Sequence, residues 1–308
     1  RRFSVNPEVE NALASFVNEL SDNRVKELLV KYSKAIIEVY EKSQYNNLRT
    51  LKHSVIEYQR FFSYLPDKAK NHEEFQESCI KTFFVFCIEL RSGRLTPAHL
   101  KGFEENFYKL HGKRVAEKDR APEKSAIEMV MSDHFHSNPK AIIPNEESLY
   151  FFFEYGLVPK PVIEDAINNC SIFLDEETPS WIRLWYHSNL SDMDFGTHAS
   201  NVIKNFKDLK FTKQGEVRHV IGMLLFFSKN KMLALSQSDA KKLIWKVIKN
   251  LEKQNLIEVL SDTQDSFFRL DDAYAGLCFF ESSSPDFKKV TQYLRTYQSR
   301  KVEESVKN

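Results

Sequence analysis

The chain has 308 residues, of which 42% are hydrophobic and 28% are charged, so it is long enough for two or three packed domains. Its 44 lysines and arginines balance 43 aspartates and glutamates, and the net charge of +1 excludes a global attraction to nucleic acid or to an anionic membrane. Eight glycines against 25 phenylalanines favour a mostly α protein. The sequence has no GxxxxGK[ST] or GxGxxG motif, which excludes a complete P-loop or Rossmann turn within it.

Four widely spaced cysteines include no CxxC pair for zinc or redox chemistry, so we expect a reduced, cytoplasmic protein. No apolar run reaches the roughly 18 residues that a membrane span requires, and no membrane association is expected. The chain begins at Arg1 without an initiator methionine, and we expect it to belong to a longer protein.

The first 90 residues predict four helices. Apolar residues at helical spacing, Val9 to Leu20, indicate one helix that starts from Asn6-Pro7 with Glu8 and Glu10 in its first turn, and a second helix is expected from Arg24 to about Ser43. A third follows the capping residues Asn46 and Asn47. A fourth, Glu74 to Leu90, is apolar on most of its circumference and is expected to be central.

The third of these helices has one apolar stripe. Residues three and four apart are expected to be buried together: Leu48, Leu51, Val55, Tyr58 and Phe62. Four basic residues lie off this stripe: Arg49, Lys52, His53 and Arg60.

Residues 112–146 are polar, with prolines at positions 122, 139 and 144, and are interpreted as a linker. This divides the chain into a helical domain of residues 1–111, the linker, and a C-terminal helical domain of residues 147–308. The expected fold is mainly α, a multi-helix bundle in two parts.

The C-terminal part predicts further helices and one small hairpin. Helices are expected at 161–174, 179–190, 195–205 and 216–229, then one capped by Ser238 and a last one at 285–297. Two β-prone segments, Leu256–Leu260 and Phe267–Leu270, predict a hairpin at about 256–270. Helix, strand, turn and strand is the outline of a winged-helix end, and a lone hairpin packed on a helical bundle gives the same pattern.

Two groups of polar residues are candidates for chemical sites. Asp133, His134 and His136 could ligate a metal, but histidines at i and i+2 do not face one ion, which favours a solvated loop. His187 and His198, with Asp192 and Asp194 between them, could form a general acid and base group, although nothing in the sequence places them in one pocket.

Other segments suggest packing or charge interactions. Trp181 and Trp185 lie four residues apart, which favours core packing over a partner-binding stripe. Two basic segments could contact nucleic-acid phosphates, namely Lys109–Lys124 and Lys241–Lys249, although basic segments are usually only solvated.

The segment Asn46 to His53 places Arg49 in the first turn of a helix. The positive end of the helix dipole makes a cation there unfavourable, so a bound anion would compensate it. On these grounds Arg49 is either a phosphate-directed residue or a surface charge.

Asn47, Arg49, Leu51 and Lys52 resemble a pattern of the KAP-type P-loop NTPases, in which Asn-x-Arg-x-hydrophobic-Lys opens a helix of the lid region. This resemblance covers about residues 1–90. It implies that Arg49 is a catalytic, sensor-type arginine and that Asn47, Arg49 and Lys52 help to bind the nucleotide. The segments 181–195 and 215–233 resemble the C-terminal helical extension of some bacterial P-loop NTPases of phage-defence systems.

The resemblance implies the lid and the assembly or sensing portion of an ATPase whose Walker motifs lie outside this chain. ATP and Mg²⁺ would then require that P-loop domain, and this chain alone would bind neither. A homo-oligomer or a defence-system partner protein is implied as well. The alternative is a free-standing helical adaptor or nucleic-acid-binding protein with a winged-helix end.

Overall fold

The computed structural model describes residues 9–101, 103–104, 106–107, 110, 123–138, 141–258 and 273–306. Within these ranges the chain forms fifteen α-helices and one two-stranded antiparallel sheet near the C-terminus. The prediction of a mainly α protein with a small hairpin is therefore confirmed.

The chain divides into two compact units, residues 1–172 and 173–308. The helices of the first unit are α1 (Val9–Asn18), α2 (Asn23–Lys31), α3 (Ser33–Lys42), α4 (Leu48–Tyr64), α5 (Asp67–Lys70), α6 (Glu73–Arg91), α7 (Pro97–Leu100), α8 (Ala126–Phe135), α9 (Glu146–Tyr155) and α10 (Lys160–Asn168). The second unit contains α11 (Ser180–Trp185), α12 (Asp192–Lys207), α13 (Gln214–Lys229), α14 (Gln237–Lys253), β1 (Ala273–Tyr274), β2 (Leu277–Cys278) and α15 (Pro285–Val306). Two short 3₁₀ helices, Ser171–Phe173 and His187–Asn189, flank α11.

The division between the units lies C-terminal to the predicted linker of residues 112–146. Within that segment, α8 packs against α3, and the Ile143 N–H donates a hydrogen bond to the Thr82 hydroxyl of α6 at 3.3 Å. The described residues of the segment thus pack inside the first unit. The roles assigned to the three predicted domains stay predictions.

Helix α6 is the centre of the first unit. It packs against α3, α4, α5 and α9, and Phe83, Phe84 and Phe86 have no exposed surface. Tyr58 of α4 meets the Phe83 ring edge-on at 5.3 Å. The prediction that this apolar helix is central is confirmed.

The single helix predicted from Arg24 to Ser43 is wrong, because Tyr32 separates α2 from α3. Tyr32 has φ −102° and ψ 18°, outside the helical region, and its hydroxyl donates to the Glu73 carbonyl at 3.2 Å. Its ring is largely buried. The break thus coincides with a contact to a residue 41 positions away in the sequence.

Helix α13 is the centre of the second unit and packs closely on the hairpin region. Gly215 faces the Tyr274 ring and Gly222 faces the Phe280 carbonyl, both without room for a side chain. Between them, the His219 Nε2–H donates to the Tyr274 carbonyl at 3.0 Å. Positions i, i+4 and i+7 share one helix face, so this face of α13 positions the hairpin.

The observed hairpin differs from the predicted one. Ala273 pairs with Cys278 and Tyr274 with Leu277, around a two-residue turn in which Ala275 and Gly276 both have positive φ. The prediction of a strand beginning at Leu256 is wrong for residues 256–258, which leave α14 and hydrogen-bond back to Leu251 and across to Thr212. The rest of the predicted strands, from residue 259 to 270, lies outside the described residues.

Two helix ends also differ from the sequence prediction. Ser236, and not Ser238, caps α14, since its hydroxyl accepts the Asp239 N–H at 3.1 Å. Helix α15 continues to Val306, beyond the predicted end at residue 297. Among the helices described here, none is both long enough and apolar enough to cross a membrane.

Candidate functional site

Helix α4 begins at Leu48 with Asn47 as its N-cap. The Asn47 backbone is extended, and its side-chain oxygen accepts the Arg49 N–H at 3.0 Å. Its carbonyl accepts the Thr50 N–H at 2.9 Å. These two bonds satisfy donors that a helix otherwise leaves unpaired in its first turn, and they fix where Arg49 lies.

Arg49 lies on the exposed side of this first turn. Its guanidinium makes no hydrogen bond, ion pair or ring contact within the part of the chain that the structure describes. The first turn of α4 contains no acidic residue, while Thr50 and Leu51 turn into the core. Arg49 is thus a cation without a counter-charge at the positive end of a 17-residue helix.

Lys52 lies one turn further along and is engaged. Its ammonium pairs with Glu19 at 2.5 Å and lies over the Phe16 ring at 5.5 Å from the centroid. The structure therefore brings Asn47 and Arg49 together by a hydrogen bond and directs Lys52 towards α1. Nucleotide binding by these three residues stays a prediction.

A charged cluster that the sequence did not predict lies in the interior of the first unit. Glu89, on the central helix α6, has no exposed surface. It accepts hydrogen bonds from the two ends of the Arg94 guanidinium, and the Nε2 atom of the buried His134 lies 3.1 Å from its carboxylate. Arg94 reaches Asp133 as well, at 3.3 Å.

Hydrogen bonds keep Glu89 charged in this cluster. Burial by itself raises its pKa, but the hydrogen bonds from His134 and Arg94 outweigh burial and hold the pKa below its usual value. Its side chain is enclosed, so the cluster acts as a buried ion pair that ties α6 to α8. The signal in the sequence was a lone glutamate within the apolar run of α6.

The expected solvated loop at Asp133, His134 and His136 is wrong for the first two residues, which belong to α8. Only His136 lies beyond the helix, in the left-handed conformation of its C-cap, and it is exposed. Among the described residues, no three His, Cys, Asp or Glu side chains are grouped so that they could hold a metal ion.

His187 and His198, the candidates for an acid and base group, make different contacts in the described structure. His198 lies with its Nδ1 atom 3.1 Å from the Ser180 hydroxyl, whereas the His187 ring contacts phenylalanine rings such as Phe227 at 5.1 Å. Asp194 accepts the Ser191 hydroxyl at the start of α12. The contacts named here therefore do not join the two histidines in one group.

The two tryptophans of α11 are buried, as core packing predicts. Trp181 stacks on the His219 ring at 4.8 Å, and the Trp185 Nε1–H donates to the Cys278 carbonyl at 2.8 Å. Because they are occupied inside the second unit, neither offers a stripe for a partner protein.

The structure describes only one of the two basic segments in full. Most of Lys109–Lys124 lies outside the described residues. On α14, Lys241 pairs with Asp286 at 2.8 Å, while Lys246 and Lys249 are exposed. The lysines of α14 are thus divided between an ion pair with α15 and a solvent-facing side.

Comparisons with protein-family models, with curated proteins and with solved structures find no match to this chain. The likeness to KAP-type P-loop NTPases therefore stays a prediction from the sequence.

Proposed function

We propose that this chain is the C-terminal lid and the assembly or sensing portion of a cytoplasmic P-loop ATPase of anti-phage defence. Its Walker motifs would lie outside the chain. Residues 1 to about 90 would complete the nucleotide site, and ATP with Mg²⁺ would bind only together with the P-loop domain. The observation that supports this proposal best is the guanidinium of Arg49 at the start of α4, which has no partner among the residues that the structure describes.

The electrostatics of the first turn favour an anion beside Arg49. The helix dipole places a partial positive charge there, and no carboxylate of the turn compensates it. A guanidinium can bind two phosphate oxygens at once and is always charged. In phosphoryl transfer, such an arginine stabilises the charge that develops on the transferred group.

Lys52 has a lesser role in this proposal. Its ammonium would have to leave Glu19 and the Phe16 ring before it could reach a phosphate. We expect Lys52 to hold α4 against α1 and Arg49 to contribute most to turnover. Asn47 would position Arg49 through the hydrogen bond to its N–H.

The test is ATP hydrolysis by the full-length protein that contains this chain. Arg49→Ala should lower turnover by about 10³-fold, the lower end of the range for a phosphate-directed arginine. Arg24→Ala is the matched control, because Arg24 also lies in the first turn of a helix but is bound to Asn71 and to the Phe62 ring. The control should hydrolyse ATP at the wild-type rate.

Unchanged turnover in Arg49→Ala would refute the catalytic role. A native open reading frame without GxxxxGK[ST] upstream of this chain would refute the ATPase itself. The assembly role predicts an oligomer by light scattering in the presence of ATP, and a monomer at every concentration would contradict that part.

A further inference from the structure

Helix α14 is strongly amphipathic, and its apolar face is buried in the core of the second unit. The buried residues of this face are Ala240, Ile244, Val247, Ile248 and Leu251. The opposite face of the helix is therefore the one that meets solvent.

Four lysines form a single stripe along that opposite face. They are Lys242, Lys246, Lys249 and Lys253, all exposed. At 3.6 residues per turn, these positions lie within an arc of about 60° and extend over about 16 Å of helix. We call these four residues the lysine stripe.

Two acidic residues lie near the lysine stripe. Each is hydrogen-bonded to a group outside it, and each also interacts with one lysine of the stripe, Glu252 with Lys249 and Asp239 with Lys242. Glu252 accepts hydrogen bonds from Arg300 and from the Tyr293 hydroxyl. Asp239 accepts the Ser236 hydroxyl and lies 3.5 Å from Lys242. The remaining members of the stripe make no ion pair in the described ranges, so like charges repel one another along the helix.

A further cation lies beside the stripe on the neighbouring helix. Trp245 is adjacent to the lysines on α14, and the Lys289 ammonium of α15 lies over its ring, 5.9 Å from the centroid. Lys289 is exposed. One exposed cation of α15 thus lies next to the α14 residue Trp245.

We propose that the lysine stripe binds the phosphate backbone of duplex DNA. Its four lysines, spread over about 16 Å of helix, can neutralise up to four phosphates of a DNA backbone. An α-helix with its side chains, about 10–12 Å across, also fits the major groove, which is about 12 Å wide. The proposal does not depend on Arg49 or on ATP.

The structure favours DNA over an anionic membrane as the occupant. A helix that lies on a membrane inserts an apolar face beside its basic residues. The apolar face of α14 is buried among α13 and the other helices of its unit, and only the charged face is available. A linear polyanion needs nothing more than this charged face.

The test measures binding of a fluorescent duplex of about 20 base pairs to the whole chain at several salt concentrations. Four phosphate contacts predict a slope of log K against log salt of about −3.6, which is about 150-fold weaker binding at 200 mM than at 50 mM salt. Lys246→Gln should reduce the slope by about 0.9. The quadruple variant Lys242→Gln, Lys246→Gln, Lys249→Gln and Lys253→Gln should abolish salt-dependent binding.

The matched control removes the same charge elsewhere on the second unit. The exposed residues Lys204, Lys207, Lys210 and Lys213 are replaced together by glutamine. The proposal that the lysine stripe binds DNA is supported if this control shows the wild-type slope of log K against log salt and every variant has an unchanged circular dichroism spectrum. An equal loss in the control, no binding of the wild type at 50 mM salt, or binding to anionic vesicles in place of DNA would overturn the proposal.

Discussion

Replacing Gly222 by alanine should disturb the contact between α13 and the residues that follow the hairpin. An added Cβ would lie 2.4 Å from the Phe280 carbonyl oxygen and 3.2 Å from the Phe280 backbone nitrogen and carbonyl carbon. The obstacle is backbone and not the flexible end of a side chain, so either the helix or the hairpin segment has to move.

The expected magnitude is the balance of two opposing effects. Alanine is favoured over glycine inside a helix by about 1 kcal/mol. Overpacking of a closely packed contact costs about 1–3 kcal/mol. Gly196→Ala, inside α12 with no atom within 4 Å of the added Cβ, retains only the favourable effect. The two variants should therefore differ by about 1–3 kcal/mol in free energy of unfolding, with Gly222→Ala the less stable.

Urea unfolding followed by tryptophan fluorescence is suited to this comparison. The three tryptophans of the chain, Trp181, Trp185 and Trp245, all lie in the second unit, as do both glycines. The signal thus reports on the unit that is perturbed. If Gly222→Ala stabilised the protein as much as Gly196→Ala does, the close packing of α13 on the hairpin region would be refuted.

Two further predictions concern buried titratable side chains. Glu89→Ala leaves Arg94 and His134 without their carboxylate and should lower the free energy of unfolding in urea by about 3 kcal/mol. The control Glu73→Ala removes a surface ion pair with Lys31 and should have little effect. Equal losses of stability in the two variants would contradict the buried cluster. Burial lowers the pKa of His219 to about 3 against the weaker opposing effect of its hydrogen bond to Tyr274. The unfolded state therefore binds the extra proton between about pH 6.5 and pH 3, and the free energy of unfolding should fall by up to about 1.4 kcal/mol per pH unit as the pH falls through this window. His219→Phe should unfold with a smaller pH dependence, and an unchanged dependence would show that His219 does not titrate in this way.

Local sequence was sufficient for the features that depend on neighbouring residues. The Asn47 cap and the buried stripe of α4 follow from residues within one or two helical turns, and both are confirmed apart from Leu48, which is only partly buried. The exposed position of Arg49 follows from the same periodicity.

Features that depend on distant residues could not be predicted. Glu89 and His134 are 45 residues apart in the chain and become partners only when α8 packs near α6. Likewise, the Ala275–Gly276 turn lacks the Asn-Gly or Asp-Gly pair by which such turns are usually recognised. At the break between α2 and α3, Tyr32 likewise contacts Glu73, 41 residues away in the sequence.

The net charge of +1 excluded a global attraction to polyanions, but the fold redistributes charge locally. Carboxylates such as Glu19 and Glu252 are matched to specific cations, Lys52 and Arg300. Among the described residues, pairing of this kind leaves Arg49 in the first unit and Lys246, Lys249 and Lys253 of the lysine stripe in the second without ion pairs, while Lys242 pairs with Asp239. Because the two features lie in different compact units, the loss of ATP hydrolysis in Arg49→Ala and the loss of DNA binding in the lysine variant should occur separately. A single variant that removed both activities without unfolding would show that the two sites are coupled, which neither proposal requires.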